Sequence, residues 1–347
     1  MLAGWAIKIG VLVAIFTYLV KTDRLKASDL KALANRWDLT LLAVSLFAPA
    51  MLVCALRYQL LLRALGISAH YVDLAAFSMI GMLFDLISPV SNGGDIVKAV
   101  YLSRTTDVRG GPRRFGIILF SVLLDRIVGF FALFTFALIV CLSAWPQIKV
   151  YPELRRTTLV VVLVCMGGLL GFIVLASEKL EKSVLRKRIL HRLPFHDKIE
   201  RIYAGFAGLR HHKRILATMI GLSIVNHMLC CASILILAQG MNFTPDSMGL
   251  PPGLLVPCLT ILPLGLFLNT FGPAGGLGAG NLGFEFLFRT VLHLNGGAVL
   301  ALRYQICGIL FRMLGIPFLI FYKHKGVNLD PNQNVVKSEG LHQNLEP

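Results

Sequence analysis

Charge is scarce in this chain of 347 residues, and acid is scarcer than base. Asp, Glu, Lys and Arg make up only 15% of it, and 34 Lys and Arg stand against 18 Asp and Glu, a formal net charge of +16. The acids are also dispersed. No two Asp residues come within four positions of each other, which removes the clustered carboxylates that hold a divalent ion in metal-dependent prenyl or phospho-alcohol transferases. No H-x-x-x-H, G-x-S-x-G or P-loop pattern is present. The seven cysteines (Cys54, Cys141, Cys165, Cys230, Cys231, Cys258 and Cys307) form no C-x-x-C pair and share no His spacing. They read as small apolar residues rather than disulfides or metal ligands, and no cofactor is implied. Long polar stretches are missing too: the longest runs from 177 to 214, and the polar tail covers only 326–347.

What the chain has instead is apolar length. It is 56% hydrophobic with a mean hydropathy of +0.72. Near-continuous apolar runs occupy residues 2–20, 39–56, 72–90, 115–145, 157–176, 215–238, 254–271 and 299–322. Roughly 20 residues of helix cross a bilayer core, so these eight segments predict an all-α polytopic membrane protein. A single transmembrane domain is expected over 1–325, in halves of 1–176 and 177–325. The first run has no basic residue ahead of it and no small-x-small cleavage pattern before Lys21, so it reads as an uncleaved span.

The excess of base is a topology signal before it is a binding signal. Residues 177–214 hold eleven Lys and Arg against four acids, whereas "QGMNFTPDSMGLPPG" holds no base at all. The positive-inside rule therefore puts 177–214 in the cytoplasm and 239–253 outside. The basic loop is expected to meet anionic lipid headgroups, not nucleic acid.

Two places interrupt the apolar pattern in the same way. "SPVSNGGDIVKAV" (88–100) and "FGPAGGLGAGNLGFEF" (271–286) each end an apolar run with a proline and paired glycines and then open a new helix. Pro89 and Pro273 lie 184 residues apart. Matched Gly/Pro-interrupted segments in two halves point to an inverted-repeat transporter with its site at the breaks, each break on a re-entrant or broken helix. Two glycine turns that merely join spans remain the alternative. With opposed re-entrant hairpins at 72–103 and 254–294, Arg57, Arg63, Arg104, Arg109, Arg113 and Arg114 fall on the cytoplasmic side, but the basic loop 21–37 falls outside. A fully crossing 72–90 with the N-terminus outside avoids that conflict, and both arrangements stay open.

Ionisable groups at membrane depth are functional candidates by default. They are Asp85, Asp95, Lys98, Asp125, Arg126, Glu285, Arg289 and Arg312. Each also has a plainer reading. Glu285 and Arg289 stand at i, i+4 and would pair on one helix; Asp125 and Arg126 would sit at the interface; Arg312 would make a structural ion pair. Asp95 would bind a coupling proton or pair with Arg126 or Arg312. Two helix N-termini meeting at the midplane would suit a phosphate. His227 reads as a satisfied core residue.

The motifs "FDLISPVSNGGDIVKAVYLSR", "VLLDRIVGFFAL", "GPAGGLGAGNLGFEFLF" and "ILFRMLGIPFLIFY" resemble, in this order, those of the lysylphosphatidylglycerol synthase transmembrane-region family, flippase-like membrane proteins. The family pattern of Asn, then Pro-x-x-x-Gly-Gly-Asp and a basic residue falls on Asp85 in place of Asn, Pro89, Gly93, Gly94, Asp95 and Lys98, with Asn92 inside it. An acidic residue and Arg fall on Asp125 and Arg126, and a last-span Arg on Arg312. The second glycine motif covers Gly275, Gly276 and Gly278; where the family usually ends it with Glu, this chain has Asn281, and Glu285 follows one turn on. The resemblance implies movement of a lipid or lipid-linked glycan carrier across the cytoplasmic membrane. The large cytoplasmic acyltransferase-type domain of the lysyl-transferring members is not expected here. An integral-membrane enzyme acting on a lipid or polyprenyl phosphate, and a scaffold indifferent to its intramembrane charges, are the rival classes.

Overall fold

The computed structural model describes residues 36–87, 93–105, 114–149, 152–176, 212–240, 255–270, 276–291 and 294–324, with the isolated positions 17 and 21. The first apolar run, most of the basic loop, Asn92, Gly275, the loop 241–254 and the tail lie outside these residues. Every element among the described residues is helical: α1 (Trp37–Ser45), α2 (Phe47–Ala64), α3 (Tyr71–Ile87), α4 (Gly93–Thr105), α5 (Arg114–Ser143), the single turn α6 (Trp145–Ile148), α7 (Pro152–Ala176), α8 (Lys213–Gln239), α9 (Leu255–Asn269), α10 (Ala279–Val291), α11 (Gly297–Met313) and α12 (Gly315–His324).

Four stretches are long and apolar enough to cross a membrane: Trp37–Ala64, Phe115–Ser143, Lys213–Gln239 and Gly297–Tyr322; α7 adds a shorter apolar stretch, Thr158–Gly171. The protein is a multi-pass membrane protein. Its outward side chains fit that solvent, with Leu142, Leu163, Leu170, Phe286 and Phe321 exposed where only hydrocarbon would meet them without cost.

Two of the long stretches are made in two pieces for one reason. α1 gives way to α2 at Leu46, three residues before Pro49, and α11 gives way to α12 at Leu314, three residues before Pro317. Proline has no N–H to give to the carbonyl four residues back, which is the last residue of α1 in one case and of α11 in the other.

The two interrupted segments fold as helical hairpins. α3 and α4 have 17 and 13 residues and pack on each other; α9 and α10 have 15 and 13 and do the same. At 1.5 Å per residue, a helix of 13 residues reaches only about 20 Å, short of the roughly 30 Å core. Each hairpin has its own core. Tyr58, Phe77, Tyr101 and Leu124 surround the first, and Ile234, Phe284, Phe288 and Leu300 the second. The ends of the chain cross over: Ala43 of α1 is buried in the second core and Tyr322 of α12 in the first, where its hydroxyl donates to Asp73. α2 and α8 form the most extensive packing between the halves.

Candidate functional site

At the first break, two backbones nearly touch. A Cβ on Gly94 would lie 1.9 Å from the Gly81 carbonyl oxygen and 2.9 Å from the Asp85 carboxyl carbon. Only a residue without a side chain lets α4 begin there. The Gly94 N–H, one of the donors a helix start leaves unpaired, is taken by Asp85 Oδ1 at 2.8 Å. Asp85 thus caps α4 from the preceding helix.

This junction opens into a cavity of about 310 Å³ between α2, α3, α4, α5, α8 and α11. Asp85, Gly94, Asp95, Lys98, Asp125, Arg126 and Arg312 all line it; Gly93 is buried beside them. Asp95 takes a hydrogen bond from Arg126 Nε, which settles which arginine it meets. Asp125 is buried inside the protein and accepts two bonds from Arg57, Nε to Oδ1 at 2.9 Å and Nη2 to Oδ2 at 2.7 Å. The remaining Arg57 nitrogen, Nη1, donates to Ser223 Oγ at 2.8 Å. Lys98 Nζ stands over the Tyr58 ring, 3.9 Å from its centroid, and the Tyr58 hydroxyl meets Ser121 Oγ at 2.8 Å. Among the described residues Arg312 makes neither a hydrogen bond nor an ion pair within 4 Å. No structural pair of the expected kind is formed there within 4 Å; the carboxylate that interacts with Arg312 electrostatically is Asp85, while Asp95 is engaged by Arg126.

Arg57, which opposed re-entrant hairpins would put on the cytoplasmic side, lies inside α2, which runs on to Ala64, and is only 7% exposed; it was not among the expected site residues. The absence of Gly or Pro between Pro49 and Gly66 was the available signal. Ser223 and Tyr58 had none.

The second break is built differently, and Gly276, Gly278, Asn281 and Glu285 do not line the cavity. Gly276 and Gly278 take left-handed φ of 106° and 87°. Asn281 Oδ1 accepts the Gly278 N–H at 2.9 Å, as the third helical residue does in a capping box, and its Nδ2 donates to Ala298 O at 3.0 Å. Glu285 Oε2 accepts the Ala298 N–H at 3.0 Å. The expected pair with Arg289 is not formed: Glu285 is turned inward against α11, and Arg289 is exposed. Nor do two bare helix N-termini meet over the cavity, since Asp85 and Asn281 each take a donor at their own helix start. His227 is satisfied, its Nε2 3.1 Å from Gly129 O.

The breaks nonetheless echo each other. Gly81 and Asp85 have counterparts 184 residues on in Gly265 and Asn269; Gly94, Asp95 and Arg126 have theirs 186 residues on in Gly280, Asn281 and Arg312. The carboxylates of the first half are amides in the second.

No curated protein matches the chain. The family model for the lysylphosphatidylglycerol synthase TM region matches residues 5–315, and it takes in both hairpins and every residue lining the charged cavity. The chain belongs to the lysylphosphatidylglycerol synthase transmembrane-region family.

Proposed function

We propose that the protein moves a lipid or lipid-linked carrier between the leaflets of the cytoplasmic membrane, and that it does so without covalent chemistry. The observation that carries this reading is the charge of the cavity. Three carboxylates (Asp85, Asp95, Asp125) face four cations, the lining Lys98, Arg126 and Arg312 together with Arg57 behind Asp125. With all ionised, one positive charge is left over, and among the described residues Lys98 and Arg312 are the cations of this set without a carboxylate within 4 Å. An uncompensated cation at membrane depth costs several kcal/mol, and a negatively charged headgroup removes that cost. The volume of about 310 Å³ is at the lower end of the roughly 300–1,000 Å³ of small-molecule sites; it suits a headgroup whose tails stay in the bilayer.

The matched hairpins support the same reading. Their lengths and breaks fit opposed re-entrant elements of an inverted repeat, in which one half rocks against the other around a fixed midplane site. The test is a leaflet-resolved assay with purified protein in liposomes. Faster transbilayer movement of phosphatidylglycerol than in protein-free vesicles is expected, with phosphatidylcholine less accelerated. Rates equal to those of empty vesicles for both lipids would contradict the proposal.

A further inference from the structure

We infer that Asn226 reads the uncharged part of the headgroup, so that the cavity selects a phosphodiester lipid whose headgroup bears hydroxyls. The inference rests on the function proposed above and adds which anionic lipids are told apart. α8 packs along α2, and Ser223, Asn226 and Cys230 follow one another on it at intervals of three and four residues, the spacing of one helix face. Ser223 is engaged: its hydroxyl accepts from Arg57 Nη1 and donates to Met219 O, each at 2.8 Å. His227, the next residue along the chain, is engaged with Gly129 O. Asn226 is not. It is partly buried, lines the charged cavity, and its amide makes no hydrogen bond to any described residue.

An unpartnered amide in an apolar span is costly, and the cavity supplies it with nothing. Phe47, Met51, Met82 and Phe311 are apolar lining residues, and the Ser78 hydroxyl already gives its proton to Leu74 O at 2.7 Å. Among the described lining residues, Asn226 is therefore the uncharged side chain with both strong donors and a strong acceptor to offer.

The ligand follows from what each group can exchange. A phosphodiester only accepts, and Lys98 on α4 and Arg312 on α11 only donate, so these match one another without Asn226. The Asn226 oxygen needs a donor from the ligand. An ammonium headgroup brings one, but adds positive charge to a cavity that already has a positive charge left over. A hydroxyl brings a donor and an acceptor and no charge, which suits both ends of an amide. A site that hydrogen-bonds a ligand hydroxyl discriminates against the analogue without it, because its own polar group is then left unpaired.

The experiment is thermal unfolding of the purified full chain in non-ionic detergent, titrated with dihexanoyl phosphatidylglycerol or dihexanoyl phosphatidylmethanol. The two lipids share their tails, their phosphodiester and its charge; only the first has headgroup hydroxyls. Wild type is expected to be stabilised by both, at a roughly tenfold lower concentration of phosphatidylglycerol, the worth of about one hydrogen bond. Asn226→Leu, close to Asn in shape, is expected to lose the preference and to respond to both lipids over the same concentrations. Asn226→Ala carries the same test if Asn226→Leu fails to fold. A wild type that responds equally to the two lipids would overturn the inference and leave the proposed function standing, as would an undiminished preference in Asn226→Leu. A wild type that responds to neither lipid would overturn both.

Discussion

The guanidinium of Arg57 is held by Asp125 in a two-point fork and by Ser223 on its third nitrogen, in a place where water cannot take over if one partner is lost. Removing one member of such a buried pair typically costs about 3–5 kcal/mol, whereas replacing both with apolar residues is often nearly neutral. Asp125→Asn and Arg57→Met are each expected to lower the melting temperature strongly, and Arg57→Met with Asp125→Leu to recover most of the loss. A double change as unstable as the sum of the singles would show that the two residues act separately. Arg312 has the opposite character, because no hydrogen bond or ion pair ties it to the described residues. Residue-scale legibility divides the same way. Their place in apolar runs and the resemblance to a known family both brought Asp95, Asp125, Arg126 and Arg312 forward. The partners Arg57 and Ser223 stayed hidden, since Arg57 stands 68 residues from Asp125 and 166 from Ser223 along the chain and helical spacing rules reach only four positions. The same rules overreached at Glu285 and Arg289, where the neighbour on the helix lost to the start of α11.

The helices themselves were legible because their cause is length. Seven of the eight apolar runs fall wholly or mostly within the described residues and are helical there, 39–56 and 299–322 each in two pieces, with α3 and α9 at their expected places. The breaks were legible as well, through Pro and Gly; what they do was not, because a glycine in a sequence looks the same whether it caps a helix or lets two backbones meet. Gly66 is the first kind. It follows α2 with a φ of 74°, and the Ile67 N–H bonds to Leu62 O at 2.8 Å, closing the helix end in a Schellman turn with open space around it. Gly94 is the second kind, with Gly81 O in the way of any side chain. Gly66→Ala is expected to cost about 1 kcal/mol of backbone strain. Gly94→Ala is expected to cost more, at least the 1–3 kcal/mol of overpacking, and to stop transport by prising α4 from α3. Thermal unfolding of both variants checks this, and a Gly94→Ala protein as stable as Gly66→Ala would contradict the close approach.

At the scale of the molecule, the halves interlock: α1 lies in the core of the second hairpin, α12 in that of the first, and α2 packs along α8. Such crossing could not be read from the sequence, since apolar runs do not state their neighbours, but charge does state a side. A Cys at Ser183 in a Cys-free background is expected to be labelled only from the cytoplasm and one at Ser247 only from outside; labelling of both from one face would undo the proposed orientation. The central claim is that the leftover positive charge of the cavity carries a lipid headgroup across. It is tested most directly by the rate at which acyl-labelled phosphatidylglycerol changes leaflet in liposomes containing wild type or Arg312→Gln, alongside the melting temperature of each. The account predicts wild-type movement well above that of empty vesicles, and Arg312→Gln reduced to the empty-vesicle rate at an unchanged melting temperature. Equal rates for Arg312→Gln and wild type would contradict it.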